Sequence, residues 1–346
     1  MLSKLKSMRN RTKRLARRVL DGQSANPSVT PSGEVVIKVP FDRADVEAWQ
    51  TLTNEEQNER NVRHLRQKVL QWEGMPAAEA ARNRWLAQPF FFTHVPKTGG
   101  TSLEHIIAKN YNITGVNRMN GPAVSENPAG LFKMGVMPHA VMGHYELNYL
   151  VYQGFTQPTV HTTMLRDPVK RVISFYNWIR ESPNHPQHAK AMSMPLIDFL
   201  RDHDRPETRN GQMLRLSGRM GAKYVRNPKK AREALEIAKE NLLTIFSFFG
   251  LLERFDEFLL TCHIVLGWRD ILYERRNVSA RPAEKTEVTD ADLDFIREHN
   301  ALDVEFHDFA RKIVEERDAH LGITPERVKK FREANATFSA ILAAGH

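Results

Sequence analysis

Three short runs along the chain lack the alternation of a half-exposed strand, and each is followed by a segment with helical spacing. Phe90-Phe91-Phe92-Thr93-His94-Val95, rich in aromatic residues, is the first, and Thr159 to Leu165 and Leu243 to Phe249 are similar. A strand with one face in water alternates apolar and polar residues, so runs without that alternation predict strands buried on both faces, as in a parallel sheet. The helical segments that follow are Ser102 to Lys109, Pro168 to Arg180 and Phe255 to Leu266. Strands alternating with helices predict an α/β fold, a central parallel sheet flanked by helices with right-handed crossovers.

Upstream, Thr53 and Glu56 have the spacing of a capping box that opens a long polar helix through about Trp72. A short extended segment at Val35 to Val39 precedes it, and a second helical stretch runs from about Pro76 to Ala87. Downstream, Asp292 to Glu298, Asp303 to His320 and Pro325 to Ala344 predict further helices. The pattern divides the chain into a tail and Pro/Ser-rich linker over residues 1–34, a helical accessory segment over 35–88, the α/β domain over 89–320 and a C-terminal helix over 321–346.

Composition adds bounds. The 346-residue chain is 41% hydrophobic and 26% charged, as ordinary globular proteins are. Its formal charge is +9, but the first 20 residues hold eight basic side chains and no acid, which leaves 42 basic against 41 acidic residues in the remainder. The basic character therefore belongs to the tail. That tail reads either as a solvated segment or as an electrostatic contact with an anionic membrane surface or polyanion. No nucleic-acid partner is expected. A single cysteine, Cys262, excludes a disulfide framework and a cysteine zinc site, and is expected to be a small buried apolar residue. No apolar run reaches membrane-spanning length and no apolar segment follows the basic N-terminus, so a cytoplasmic protein is expected, with peripheral contact at the inner membrane surface open to the tail.

Candidate chemistry sits directly after the first strand, in Pro96-Lys97-Thr98-Gly99-Gly100-Thr101-Ser102. Two glycines let the backbone turn tightly and expose N–H groups, and the helix N-terminus behind them carries partial positive charge. Lys97 adds a formal charge, while Thr98, Thr101 and Ser102 add hydroxyls, so the loop suits a phosphate. The lysine precedes the glycines, unlike a Walker A loop. A second element follows the next strand: Leu165-Arg166-Asp167-Pro168-Val169-Lys170-Arg171-Val172-Ile173-Ser174. There Pro168 suits the first helical turn, Arg166 can fork two hydrogen bonds onto a phosphate, and Ser174 lies about two turns along the helix.

These two elements, in this order, resemble the PAPS-dependent sulfotransferases of the carbohydrate branch, which includes heparan sulfate 2-O-sulfotransferases and related bacterial enzymes. Three further segments resemble the same family: Asn210-Gly211-Gln212 to Gly218, Phe249 to Asp256, and Asn277-Val278-Ser279 followed by Asn300 to Phe309. The resemblance covers about residues 88 to 320. It implies a P-loop NTPase-like sulfotransferase fold and transfer of a sulfuryl group from PAPS, as co-substrate, to a hydroxyl of a carbohydrate or glycoconjugate, without a metal. It also implies that residues 97–102 hold the 5′-phosphosulfate, that Arg166 and Ser174 hold the 3′-phosphate, and that Arg281 and Lys285 lie on a loop over the nucleotide.

An alcohol acceptor needs a general base, and a neutral imidazole suits pH 7. The resemblance places that base in a Gly-His motif, matched by Gly143-His144, with Lys97 stabilising the leaving phosphate. Met142 stands where close relatives in the family carry a second histidine. Glu146 could orient or replace His144; His94 and His139 are weaker candidates, and Tyr176 and Trp178 could line an acceptor groove or pack in the core. Two alternatives compete: an ATP- or GTP-dependent phosphotransferase using the same loop, and a non-catalytic polyanion- or membrane-binding protein acting through residues 1–20.

Overall fold

The computed structural model describes residues 28–29, 35–36, 47–49, 51–73, 89–111, 116–119, 140–147, 152–153, 159–274 and 288–344. The basic tail, the Pro76 to Ala87 stretch, His139, Arg281 and Lys285 lie outside the described residues. Contacts divide the chain into two compact units, Met1–Phe92 with Thr114–Val160, and Thr93–Ile113 with His161–His346.

The fold is α/β, with a parallel central sheet flanked by helices. Two-residue strands β1 (Ser28–Val29) and β2 (Val35–Val36) pair antiparallel outside it. Helix α1 (Asn54–Glu73) starts at the expected capping box: Glu56 N–H donates to Thr53 Oγ1 at 3.2 Å, and Thr53 N–H donates to Glu56 Oε2 at 2.9 Å. The central sheet holds β3 (Phe90–Thr93), β4 (Val116–Met119), β5 (Ala140–Gly143), β6 (Val160–Leu165) and β7 (Phe248–Leu251), in the order β4-β5-β3-β6-β7. Helix α2 (Gly100–Asn110) follows β3, and α3 (Pro168–Glu181) follows β6.

In the first unit, the register pairs β4 with β5 in parallel. Phe90, Phe91 and Phe92 are fully buried, and each such ring contributes about 1.5–3 kcal/mol. Phe91 lies 5.3 Å from Tyr152 with the rings tilted at 36° and meets Tyr145 edge-on at 6.5 Å, forming an aromatic cluster.

In the second unit, β6 pairs in parallel with β7. Asp167 caps α3 by accepting from Lys170 N–H at 2.8 Å, and Pro168 opens its first turn. Val169, Val172, Phe175, Tyr176 and Ile179 form its buried stripe, at the spacing of one helical face. That stripe packs on short helices α4 (His188–Ser193) and α5 (Leu196–Asp202). Next come α6 (Gly211–Ser217), α7 (Ala222–Arg226) and α8 (Pro228–Thr244). After β7, α9 (Phe255–Leu266), α10 (Asp290–His299), α11 (Ala301–His320) and α12 (Pro325–Ala343) complete the unit. The last is tied down by Arg332 on Asp256 at 2.6 Å and by the Asn335 carboxamide, which accepts from Tyr273 N–H at 2.7 Å and donates to the Tyr273 carbonyl at 2.9 Å.

The run from Leu243 to Phe249, expected to be one strand, is split. Its first residues end α8, whose buried face is Ala231, Ala234, Leu235, Ala238 and Leu242. Leu243 falls off that face and is 62% exposed, so the strand begins only at Phe248.

Candidate functional site

Two loops of the second unit follow the C-terminal ends of β3 and β6, which are neighbours in the sheet. The chain passes from β3 toward one edge of the sheet and from β6 toward the other. Their carboxyl ends therefore flank a topological switch point, where open α/β sheets bind ligands.

The loop after β3 is held in an uncommon conformation. Lys97 has φ 69°, left-handed backbone that costs a non-glycine residue about 1–2 kcal/mol. Two hydrogen bonds hold the turn: Thr98 Oγ1 donates to the Val95 carbonyl at 2.8 Å, and Arg166 Nη1 donates to the Lys97 carbonyl at 3.0 Å. Gly99 caps α2 at φ 82°, and no side chain caps the helix's first N–H groups. A Cβ on Gly99 would lie 2.5 Å from Leu252 Cδ1, and one on Gly100 would lie 2.0 Å from the His94 ring. The glycines thus serve close packing as well as backbone exposure. His94 is buried beneath Gly100 with Nδ1 3.8 Å from Glu104 Oε1, a packed position at the base of the loop.

Arg166 is fixed on its backbone and on its side chain. Gln212 accepts from Arg166 N–H through Oε1 at 2.9 Å and donates through Nε2 to the Arg166 carbonyl at 2.8 Å. The next residue, Asp167, donates its N–H to Glu253 Oε1 at 2.9 Å. Burial pushes that carboxyl's pKa up, but His307, with Nε2 3.5 Å away, and the Asp167 N–H outweigh it and hold Glu253 below the usual carboxylate range. Residues 252 and 253 therefore touch both loops, the first packing on Gly99 and the second anchoring the turn after Arg166.

The two cations face an unfavourable environment. Burial lowers the Lys97 pKa, the nearby Arg166 lowers it further, and Glu181 opposes the shift. Burial lowers that of Arg166 too, against the pull of Glu253 and Asp167. Among the described residues neither side chain forms an ion pair. The Lys97 ammonium instead lies 5.5 Å from the centroid of Trp178, whose indole is 39% exposed. An anion placed beside both groups would relieve their desolvation and mutual repulsion at once.

The other candidates take separate places. The Thr98 hydroxyl is buried and engaged inside the loop; Thr101 is exposed, and Ser102 and Ser174 are half-buried. Ser102 also lines a cavity of about 230 Å³ with His105, Ile106, Lys109, Tyr273 and Phe338. Tyr176 is a core residue whose hydroxyl donates to the Met194 carbonyl at 2.7 Å, so of the two aromatics only Trp178 reaches the surface beside Lys97. Cys262 is fully buried and its thiol is pushed well up by desolvation. His144 and Glu146 are half-buried in the first unit, directly after β5. Among the described residues no group of three or more His, Cys, Asp or Glu side chains could hold a metal ion.

Gln212 and Glu253, which fix the loops, carry no charge pattern that would single them out in the sequence. Their only signal there is that each falls in a segment with a family resemblance. Compared with family models and with curated proteins, the chain matches none.

Proposed function

We propose that the protein transfers a sulfuryl group from PAPS to a hydroxyl of a carbohydrate or glycoconjugate. The observation that carries this reading is the pairing of two cations, Lys97 and Arg166, that form no ion pair among the described residues and stand on bonded loops at neighbouring strand ends. A bisphosphorylated nucleotide suits such an arrangement, because one anionic group can lie on the α2 N-terminus with Lys97 and the other on the Arg166 fork. Ser174 would add a hydroxyl to the 3′-phosphate, and the family resemblance assigns Arg281 and Lys285 to the nucleotide as well.

In the reaction, the acceptor oxygen attacks sulfur while the bond from sulfur to the bridging oxygen of the 5′-phosphate breaks. The acceptor proton passes to His144, and Lys97 stabilises the charge left on that oxygen, releasing adenosine 3′,5′-bisphosphate. Catalysis of this type rests mainly on alignment and charge stabilisation.

Calorimetric titration with adenosine 3′,5′-bisphosphate, ADP and ATP, without metal, tests the reading on the wild type and on Arg166→Ala. Selective binding of the bisphosphate that Arg166→Ala abolishes is the expected result. Preference for ATP, or binding of none of the three, would overturn it.

A further inference from the structure

The segments from Asn210 and from Asn300 both resemble family motifs, yet neither contains a residue assigned to the reaction. They meet in a closed set of hydrogen bonds. Asn210 Oδ1 accepts from Leu302 N–H and Asp303 N–H at 3.1 and 3.0 Å, capping the N-terminus of α11. In return, Asn300 Oδ1 accepts from Asn210 N–H at 2.8 Å. The Asp303 carboxylate accepts from Gln212 N–H at 3.1 Å and Met213 N–H at 2.9 Å, capping α6. Each helix start is thus satisfied by side chains of the other.

This lock is buried: Asn300, Asp303 and Gln212 have no exposed surface, and Arg171, 1% exposed, lies 3.8 Å from Asp303 Oδ2. With its backbone N–H held by Asp303, Gln212 has one side-chain output, the pair of hydrogen bonds to the Arg166 backbone. A carboxamide that both accepts from and donates to one residue fixes the direction in which that residue leaves the strand. For Arg166 that direction decides whether the guanidinium reaches the Lys97 carbonyl and the face beside it.

We infer that Gln212 is a positioning residue, orienting Arg166 through its backbone so that recognition of the nucleotide 3′-phosphate depends on it. This rests on the sulfotransferase reading above and deepens it, since it names what sets the discrimination between a 3′,5′-bisphosphate and a 5′-monophosphate. Gln212 itself touches no phosphate.

The test measures binding of adenosine 3′,5′-bisphosphate and adenosine 5′-monophosphate to the full chain by calorimetry. The proteins are the wild type, Gln212→Leu, Gln212→Met, Arg166→Ala and the double variant Arg166→Ala/Gln212→Leu, each checked for cooperative thermal unfolding. Gln212→Met keeps the length of the side chain and buries no charge, so it supplies a folded variant where Gln212→Leu does not. The expected result is loss of roughly tenfold or more in bisphosphate affinity, little change for the monophosphate, and no further loss when Gln212→Leu is added to Arg166→Ala. Equal losses for both nucleotides, an unchanged preference, or additive losses in the double variant would overturn the inference while leaving the sulfotransferase reading intact. A wild type that does not prefer the bisphosphate overturns that reading, and this inference with it.

Discussion

His161 shows how much one buried titratable side chain can govern. It is 1% exposed in β6, stacked 4.4 Å from Phe246, with Nε2 2.7 Å from Thr93 Oγ1. Burial lowers its pKa to about 3, so the folded protein keeps the ring neutral where the unfolded chain protonates it near 6.5. The unfolded state therefore binds the extra proton between those values, and stability is lost as pH falls below about 6.5. Denaturant unfolding at pH 6.5 and pH 5 should show His161→Gln losing about 1.6 kcal/mol less than the wild type over that interval. Equal losses would mean that the ring finds a way to charge in place. Composition does not choose among the fourteen histidines; packing sets His161, buried against Phe246, and His94, beneath Gly100, apart from His144, half-buried at the end of β5.

Among the elements, the strand-loop-helix unit from Phe90 to Asn110 and the strand-turn-helix unit from Val160 to Glu181 are nearly complete in the sequence. Their strands are short runs rich in aromatic, aliphatic and β-branched residues, and glycine or Asp-Pro marks the turns. The start of α1 was equally legible from Thr53 and Glu56. Helices α4, α5 and α6 were not. The last two have seven residues each, too few for a periodic signal, and they form because they pack on α3 or are capped from a distant helix. The α6–α11 lock makes a prediction at this scale. Arg171→Met removes the cation beside a fully buried Asp303, whose pKa burial already raises against the attraction of Arg171. It should cost about 3–5 kcal/mol in chemical denaturation, the range for stripping one partner from a buried ion pair. A loss below 1 kcal/mol would show that Asp303 is satisfied by the α6 N–H groups alone.

For the whole molecule, charge is distributed more unevenly than the total suggests. Removing residues 1–20 would take the formal charge from +9 to +1. If the tail makes the electrostatic contact, truncation should abolish salt-sensitive binding to phosphatidylserine vesicles and leave nucleotide binding unchanged. Retained vesicle binding would move the contact to the body of the protein. Among the described residues no helix is long and apolar enough to cross a membrane.

The sequence by itself determined the α/β alternation, the loops that follow β3 and β6, and the strand ends from which Lys97 and Arg166 depart. These follow from local rules: apolar runs, caps, glycine turns and proline at a first helical turn act within a few residues. Tertiary structure alone decided that Arg166 bonds the Lys97 carbonyl, that Gln212 and Glu253 hold the turn at Arg166, and that Asn210 and Asp303 cap each other's helices across about 90 residues of chain. Hydrogen bonds of that reach depend on which strands lie side by side and which helix starts face each other. Composition and local spacing do not encode that pairing; it arises when the sheet and its helices bury their faces together.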